Sequence, residues 1–102
     1  MFSIKSPYEV AKELADRLRQ HRLAQAWSRE EFARRSGVSA ASIKRFELTG
    51  EISLKYLLAL CFTLGVLDDF ESVLLLPEPT SIRELKKLLH KKKRQRGRRQ
   101  AQ

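Results

Sequence analysis

The side chains of this sequence best suited to act on another molecule are cations, and they fall in two places. The run Lys91-Lys92-Lys93-Arg94-Gln95-Arg96-Gly97-Arg98-Arg99 repels itself, has almost nothing apolar to bury and is expected to be disordered when unbound. Residues 86–102 hold 9 Lys+Arg and no acid, whereas residues 1–85 hold 12 Lys+Arg against 12 Asp+Glu, so this tail carries the whole net charge of +9. Its natural counterpart is a polyanion: nucleic acid through phosphate neutralisation and counterion release, or the acidic surface of a protein. A solubilising tail is the plainer alternative. The second set is Lys44 and Arg45, between the apolar residues Ile43 and Phe46, with Ser42 just before them; all three point away from the side of a helix that Ile43 and Phe46 anchor.

Catalytic chemistry finds no comparable support. The single cysteine, Cys61, allows neither an internal disulfide nor a cysteine-based metal cluster, and His21 and His90 are far apart in sequence, so no metal and no cofactor is expected. No nucleophile stands beside a base, and no glycine-rich phosphate loop is present. Cys61 reads as a small buried hydrophobe, His21 as a surface residue and His90 as part of the tail. Glu30 and Glu31 complement a helix dipole, Arg34 and Arg35 read as a solvated face, and Trp27 as a packing residue that staples a turn.

The elements that would position the cations follow from caps and periodicity. Ser6-Pro7-Tyr8-Glu9 is a capping box with proline at the first helical position, and Val10, Leu14 and Leu18 form a stripe, predicting a first helix over 8–25. Ser28-Arg29-Glu30-Glu31 is a second capping box, and Phe32 and Ala33 point inward before Gly37, predicting a helix over 29–36. Ser39 caps a third helix over 40–48 that ends at Gly50. Ser53 opens a fourth, in which Leu54, Leu57, Leu58, Cys61 and Leu64 keep the helical period up to Gly65, and a fifth is expected near 67–75. Beyond Pro77, Ser81-Ile82-Arg83-Glu84 caps a short amphipathic helix with Leu85, Leu88 and Leu89. Phe2-Ser3-Ile4 alternates as a short extended arm.

The expected organisation is all-α: an arm over 1–7, a five-helix domain over 8–76, and an amphipathic helix with a basic C-terminal extension over 77–102. At 102 residues this is one domain and a tail. No apolar run approaches the ~20 residues of a membrane span, and the first residues lack the pattern of a secretory signal, so a cytoplasmic protein is expected. A domain of this size buries only about 60–65% of its chain's surface, and the apolar surplus of the fourth and fifth helices favours a homodimer.

Two short helices joined by Gly37-Val38-Ser39, the second carrying polar and cationic residues outward, make the helix-turn-helix pattern. Over residues 8–75 the sequence resembles the Cro and Xre repressors, carried by Ser28-Arg29-Glu30-Glu31-Phe32-Ala33-Arg34-Arg35-Ser36-Gly37-Val38-Ser39 and Ala40-Ala41-Ser42-Ile43-Lys44-Arg45-Phe46-Glu47. The resemblance implies a lambda-repressor-like fold and a structural ion pair between Arg22 and Glu47. It implies phosphate contacts at Ser28 and Arg29 and base contacts from Ala40, Ala41, Lys44 and Arg45, with Thr49 completing the set. Alanine cannot hydrogen-bond a base edge, which shifts direct readout to Lys44, Arg45 and the hydroxyls of Ser39 and Ser42. The implied partner is double-stranded DNA, as an inverted-repeat operator bound by a repressor. A narrower resemblance, in Ser6-Pro7, Val10-Ala11 and Phe46-Glu47, is to HipB-like antitoxins and implies an antitoxin that autoregulates a toxin-antitoxin operon, with a HipA-like kinase toxin as partner. The alternatives are a stand-alone Xre-type regulator, or an interaction protein whose tail holds an acidic partner or RNA.

Overall fold

The computed structural model describes residues 5–78 and 86–91. Four α-helices form the first compact unit, which closes at Glu71: α1 (Pro7–Ala24), α2 (Arg29–Ser36), α3 (Ala40–Thr49) and α4 (Leu54–Leu64). Each starts where a serine stops being helical. Ser6, Ser28, Ser39 and Ser53 hold extended backbone angles, and each side-chain oxygen accepts a hydrogen bond from the amide three residues on. At α1 the box is complete, with Glu9 reaching back to Ser6. At α2 only half of the expected box forms, because the Glu31 carboxylate turns instead to Arg34 and Arg35, one helical turn further along.

The core is built where the helices cross. Ala15 and Leu18 of α1, Phe32 of α2, Ile43 and Phe46 of α3, and Leu57, Leu60 and Cys61 of α4 are buried together with Val38 of the α2–α3 turn. Sealing these side chains from water supplies the main drive to fold, at about 1.5–3 kcal/mol for each large one. α1 packs on α3 and α4, and α2 packs on the same two helices. The inward face of α1 runs through Leu14, Ala15, Leu18 and Arg22, and Val10 does not share it, being 51% exposed. A stripe stepping by four residues drifts about 40° around a helix per step, which carries Val10 off the face that Leu18 occupies.

α1 ends in a double hydrogen-bonded reversal: the Trp27 amide donates to the Arg22 carbonyl and the Ala26 amide to Leu23. Ala26 sits at the left-handed position, φ 60°, where glycine is usual. Trp27 then tilts against Phe32, ring centroids 5.6 Å apart, stapling the entrance of α2 as its place before the cap suggests. Gly50 ends α3 at φ 78°, and a Cβ there would lie 3.2 Å from the backbone of Ala11, so both the turn and the approach of α1 require glycine.

The expected fifth helix is a 3-10 helix, Leu67–Ser72, none of whose residues is buried. Phe70 is half-buried against the core while Leu67 is exposed, and one packed side chain in six residues does not sustain an α-helix. Val73 and Leu74 lie beyond it, and Leu74 adopts φ 64°, which stops any helical continuation. Ser72 begins a second compact unit, in which Leu74, Leu75 and Leu76 are exposed and residues 86–91 are helical. The arm at Phe2–Ile4, the Ser81 capping box, Ile82 and Leu85, and the tail from Lys92 through Lys93, Arg94, Arg96, Arg98 and Arg99 lie outside the described residues; Lys91 is helical and exposed. No helix among the described residues is long and apolar enough to cross a membrane.

Candidate nucleic-acid interface

Gly37, at φ 79°, lets the chain reverse between α2 and α3 while its amide still bonds to Ala33 at 2.9 Å. The Val38 amide donates to Ser36 Oγ, and the Val38 side chain drops into the core. Ile43 and Phe46 are almost fully buried, so α3 is fixed in rotation about its axis. The exposed residues of α3 are Ala41, Lys44, Arg45, Leu48 and Thr49, and the first four, at spacings of three, four and seven, define one helical face. Ten residues of helix span about 15 Å, enough to lie along a major groove roughly 12 Å wide.

An ion cluster beneath this face ties α3 to the two helices before it. Glu47, its side chain 1% exposed, accepts from Arg22 Nε at 2.8 Å and Arg22 Nη2 at 3.1 Å, the pairing that the resemblance implies. Arg22 also donates to the Trp27 carbonyl at 2.8 Å, so one buried guanidinium clamps α3 and the α1–α2 turn together. Burial pushes the Glu47 carboxyl up, but hydrogen bonds from Arg22 and Arg29 outweigh it and hold the group below the ordinary carboxylate range.

Arg29 is the member that sequence reading missed. Its Nε donates to Glu47 Oε1 at 3.0 Å while about a third of its side chain stays exposed, so it joins the cluster without being sealed inside it. The cations of the helix-turn-helix are thus largely engaged. Arg34 and Arg35 pair with Glu31, Arg35 lies 4.7 Å from the centre of the Trp27 ring, and Arg45 reaches Glu51. Lys44 is exposed and makes no ion pair among the described residues.

The hydroxyls are similarly divided. Ser39 Oγ accepts from the Ser42 amide and gives its proton to Ser42 Oγ at 2.9 Å, which leaves the Ser42 proton free to point outward. Thr49 gives its proton to the Arg45 carbonyl at 2.7 Å and accepts from the Glu51 amide. Ser28 is exposed, with its oxygen on the Glu31 amide, and Ala40 is half-buried beside the exposed Ala41. Two residues of this surface went unread in the sequence. Leu48 could have been found by continuing the Ala41–Lys44 face one more turn, whereas Glu51 follows the reversal at Gly50, where helical spacing says nothing.

The helix-turn-helix domain family matches residues 13–72, more than half of the chain, from within α1 to the end of the 3-10 helix. The chain belongs to that family. As in the Xre-type pattern, this helix-turn-helix domain sets a second short helix outward from a core closed by the helices around it. No curated protein and no solved structure matches the chain. Among the described residues of this helix-turn-helix protein, no group of three His, Cys, Asp or Glu side chains is placed to hold a metal ion.

Proposed function

We propose that this helix-turn-helix protein is a sequence-specific DNA-binding transcriptional repressor that acts as a homodimer on an inverted-repeat operator. The observation that carries the reading is the outward face of α3, Ala41–Lys44–Arg45–Leu48, held in fixed rotation by the buried Ile43 and Phe46 and by the Arg22–Glu47 pair. Laid in the major groove, Lys44 and Arg45 donate to guanine O6 and N7, Ser42 offers its free proton, and the Ala41 methyl and Leu48 meet thymine methyls. Ser28 and Arg29, at the start of α2, face the phosphate backbone and set the register of α3 without reading sequence. The basic residues from Lys91 to Arg99 add affinity that is steep in salt and indifferent to sequence.

Exposed apolar side chains support the dimer: Phe62 and Leu67 in the first unit, and Val73 to Leu76 in the second. A twofold pair of recognition helices reads half-sites about one helical turn, ~34 Å, apart. The narrower reading as a HipB-like antitoxin of a HipA-like kinase rests on the sequence resemblance alone. Of the residues that carry it, Ser6-Pro7 serve the α1 cap, Ala11 lies against Gly50, Phe46 is in the core and Glu47 in the ion cluster, while Val10 is exposed.

Selection of bound duplexes from a random library tests the proposal. Wild-type protein is expected to enrich one inverted repeat. The exposed double variant Lys44→Ala/Arg45→Ala should keep its fold and lose the preference, at about 1–3 kcal/mol of discrimination per lost bidentate contact. A wild-type protein that enriches no sequence refutes the reading.

A further inference from the structure

On the outward face of α3, Arg45 is held by an acid of the chain, whereas Lys44 is not. Arg45 Nη2 donates to both carboxylate oxygens of Glu51, at 3.5 and 3.4 Å. Glu51 is not on α3, yet its place relative to Arg45 is fixed through the backbone. The Glu51 amide donates to Thr49 Oγ1 at 3.1 Å, and the Thr49 hydroxyl donates to the carbonyl of Arg45 itself at 2.7 Å. Guanidinium, carboxylate, hydroxyl and carbonyl therefore close a ring that begins and ends at Arg45. The ion pair in this ring is loose: both distances are long, and the two side chains are 68% and 61% exposed. An acceptor arriving on DNA can share Arg45 with Glu51, because Arg45 Nε and Nη1 have no partner among the described residues. Beside the ring, Ser42, Arg45, Glu51 and Tyr56 line a groove of about 310 Å³ between α3 and the start of α4.

We propose that Glu51 is a positioning residue that determines base specificity, biasing the Arg45 guanidinium toward this groove and away from phosphates. The inference rests on the proposed reading of bases by α3 and deepens it. An unrestrained arginine beside DNA is drawn to the nearest phosphate, a contact that adds affinity and carries no sequence information. A carboxylate within hydrogen-bond reach cancels much of that gain. It also aims the remaining guanidinium donors, so that a base pair presenting acceptors in the right place is favoured over the rest. Glu51 thereby lowers binding to every duplex and lowers it least for the correct one.

The full chain and its Glu51→Gln and Glu51→Asp variants, taken through duplex selection and then titrated on the selected and a scrambled duplex across salt concentrations, test this. Glu51→Gln is expected to bind the scrambled duplex about tenfold more tightly, with a salt slope steeper by about 1 as Arg45 takes an extra phosphate. Its preference at one base pair per half-site should fall by about tenfold. Glu51→Asp keeps the charge but withdraws it by one methylene, and should lose the same preference without the gain on scrambled DNA. Both side chains lie at the surface, and unfolding midpoints at the wild-type value show that the fold persists. A selection profile unchanged in either variant overturns the inference whatever happens to affinity, because a carboxylate acting only by charge shifts all sequences alike. If wild-type protein selects no sequence, the base-reading proposal itself fails, and the role of Glu51 with it.

Discussion

Replacing Glu47 by glutamine keeps its shape and removes the charge on which two arginines converge. The Arg22 side chain, 8% exposed, would be left in the interior facing a neutral amide whose NH2 group cannot accept from it. Breaking one side of a buried ion pair costs about 3–5 kcal/mol. The lower figure applies because Arg22 Nη1 keeps the Trp27 carbonyl and Arg29 can turn to solvent. Against a total stability of about 5–15 kcal/mol this is a large share, and at roughly 4–8 °C per kcal/mol the unfolding midpoint should fall by about 12–24 °C at pH 7. Thermal unfolding followed by the single tryptophan, Trp27, which stands between Arg22 and Phe32, reads the change directly.

The pH dependence supplies an independent check. The folded Glu47 carboxyl lies below its ordinary value of 4.5, so the stability it contributes is present above about pH 4.5 and is lost as pH falls through the folded value. Wild type should lose that contribution in acid while Glu47→Gln has none to lose, and the gap between them should close. A second variant, Arg22→Met/Glu47→Leu, removes both charges and should recover much of the loss. A gap below about 1 kcal/mol at pH 7, or one that stays constant through the acid range, would show that the cluster does not stabilise the domain as argued.

Three further outcomes follow from backbone geometry and burial. Ala26→Gly relieves a left-handed alanine at the end of α1 and should raise stability by about 1 kcal/mol, measured by urea unfolding. Gly50→Ala should cost more than Gly37→Ala in the same assay: both force alanine to a positive φ, at about 1–2 kcal/mol, but only at Gly50 does the new Cβ press on the Ala11 backbone. Cys61 should react slowly with thiol reagents at neutral pH in the folded protein and rapidly once unfolded, because burial and the nearby Asp69 charge push its thiol up.

The cations of the helix-turn-helix show what a sequence leaves open. Read along the chain, Arg34 and Arg35 form a solvated face, Arg29 is a phosphate contact, and Lys44 and Arg45 are base contacts, with no acid assigned to any of them. Whether one is available depends on an acid brought near it by folding: Glu47 from α3 to Arg29, Glu31 by a local turn to Arg34 and Arg35, and Glu51 by the reversal at Gly50 to Arg45. Of these, only the Glu31 pairs lie at a helical spacing that sequence displays.

The element boundaries were legible because they are local events. A serine that caps, a glycine that tolerates positive φ and an apolar residue every three or four positions act over a few residues, and the starts of α2, α3 and α4 stand where those signals put them. The face of α3 that turns outward was legible for the same reason, once Ile43 and Phe46 were read as anchors. Rotation of α1 was not, because Val10 and Leu14 are equally apolar, and only packing against α3 decides which of them is covered. Nor could the sequence show that Phe70 alone of residues 67–72 finds the core, or that Arg29 and Arg45 are each held by a carboxylate outside their own helix. Such choices depend on long-range contacts, and contacts between residues distant in sequence exist only after the chain has folded.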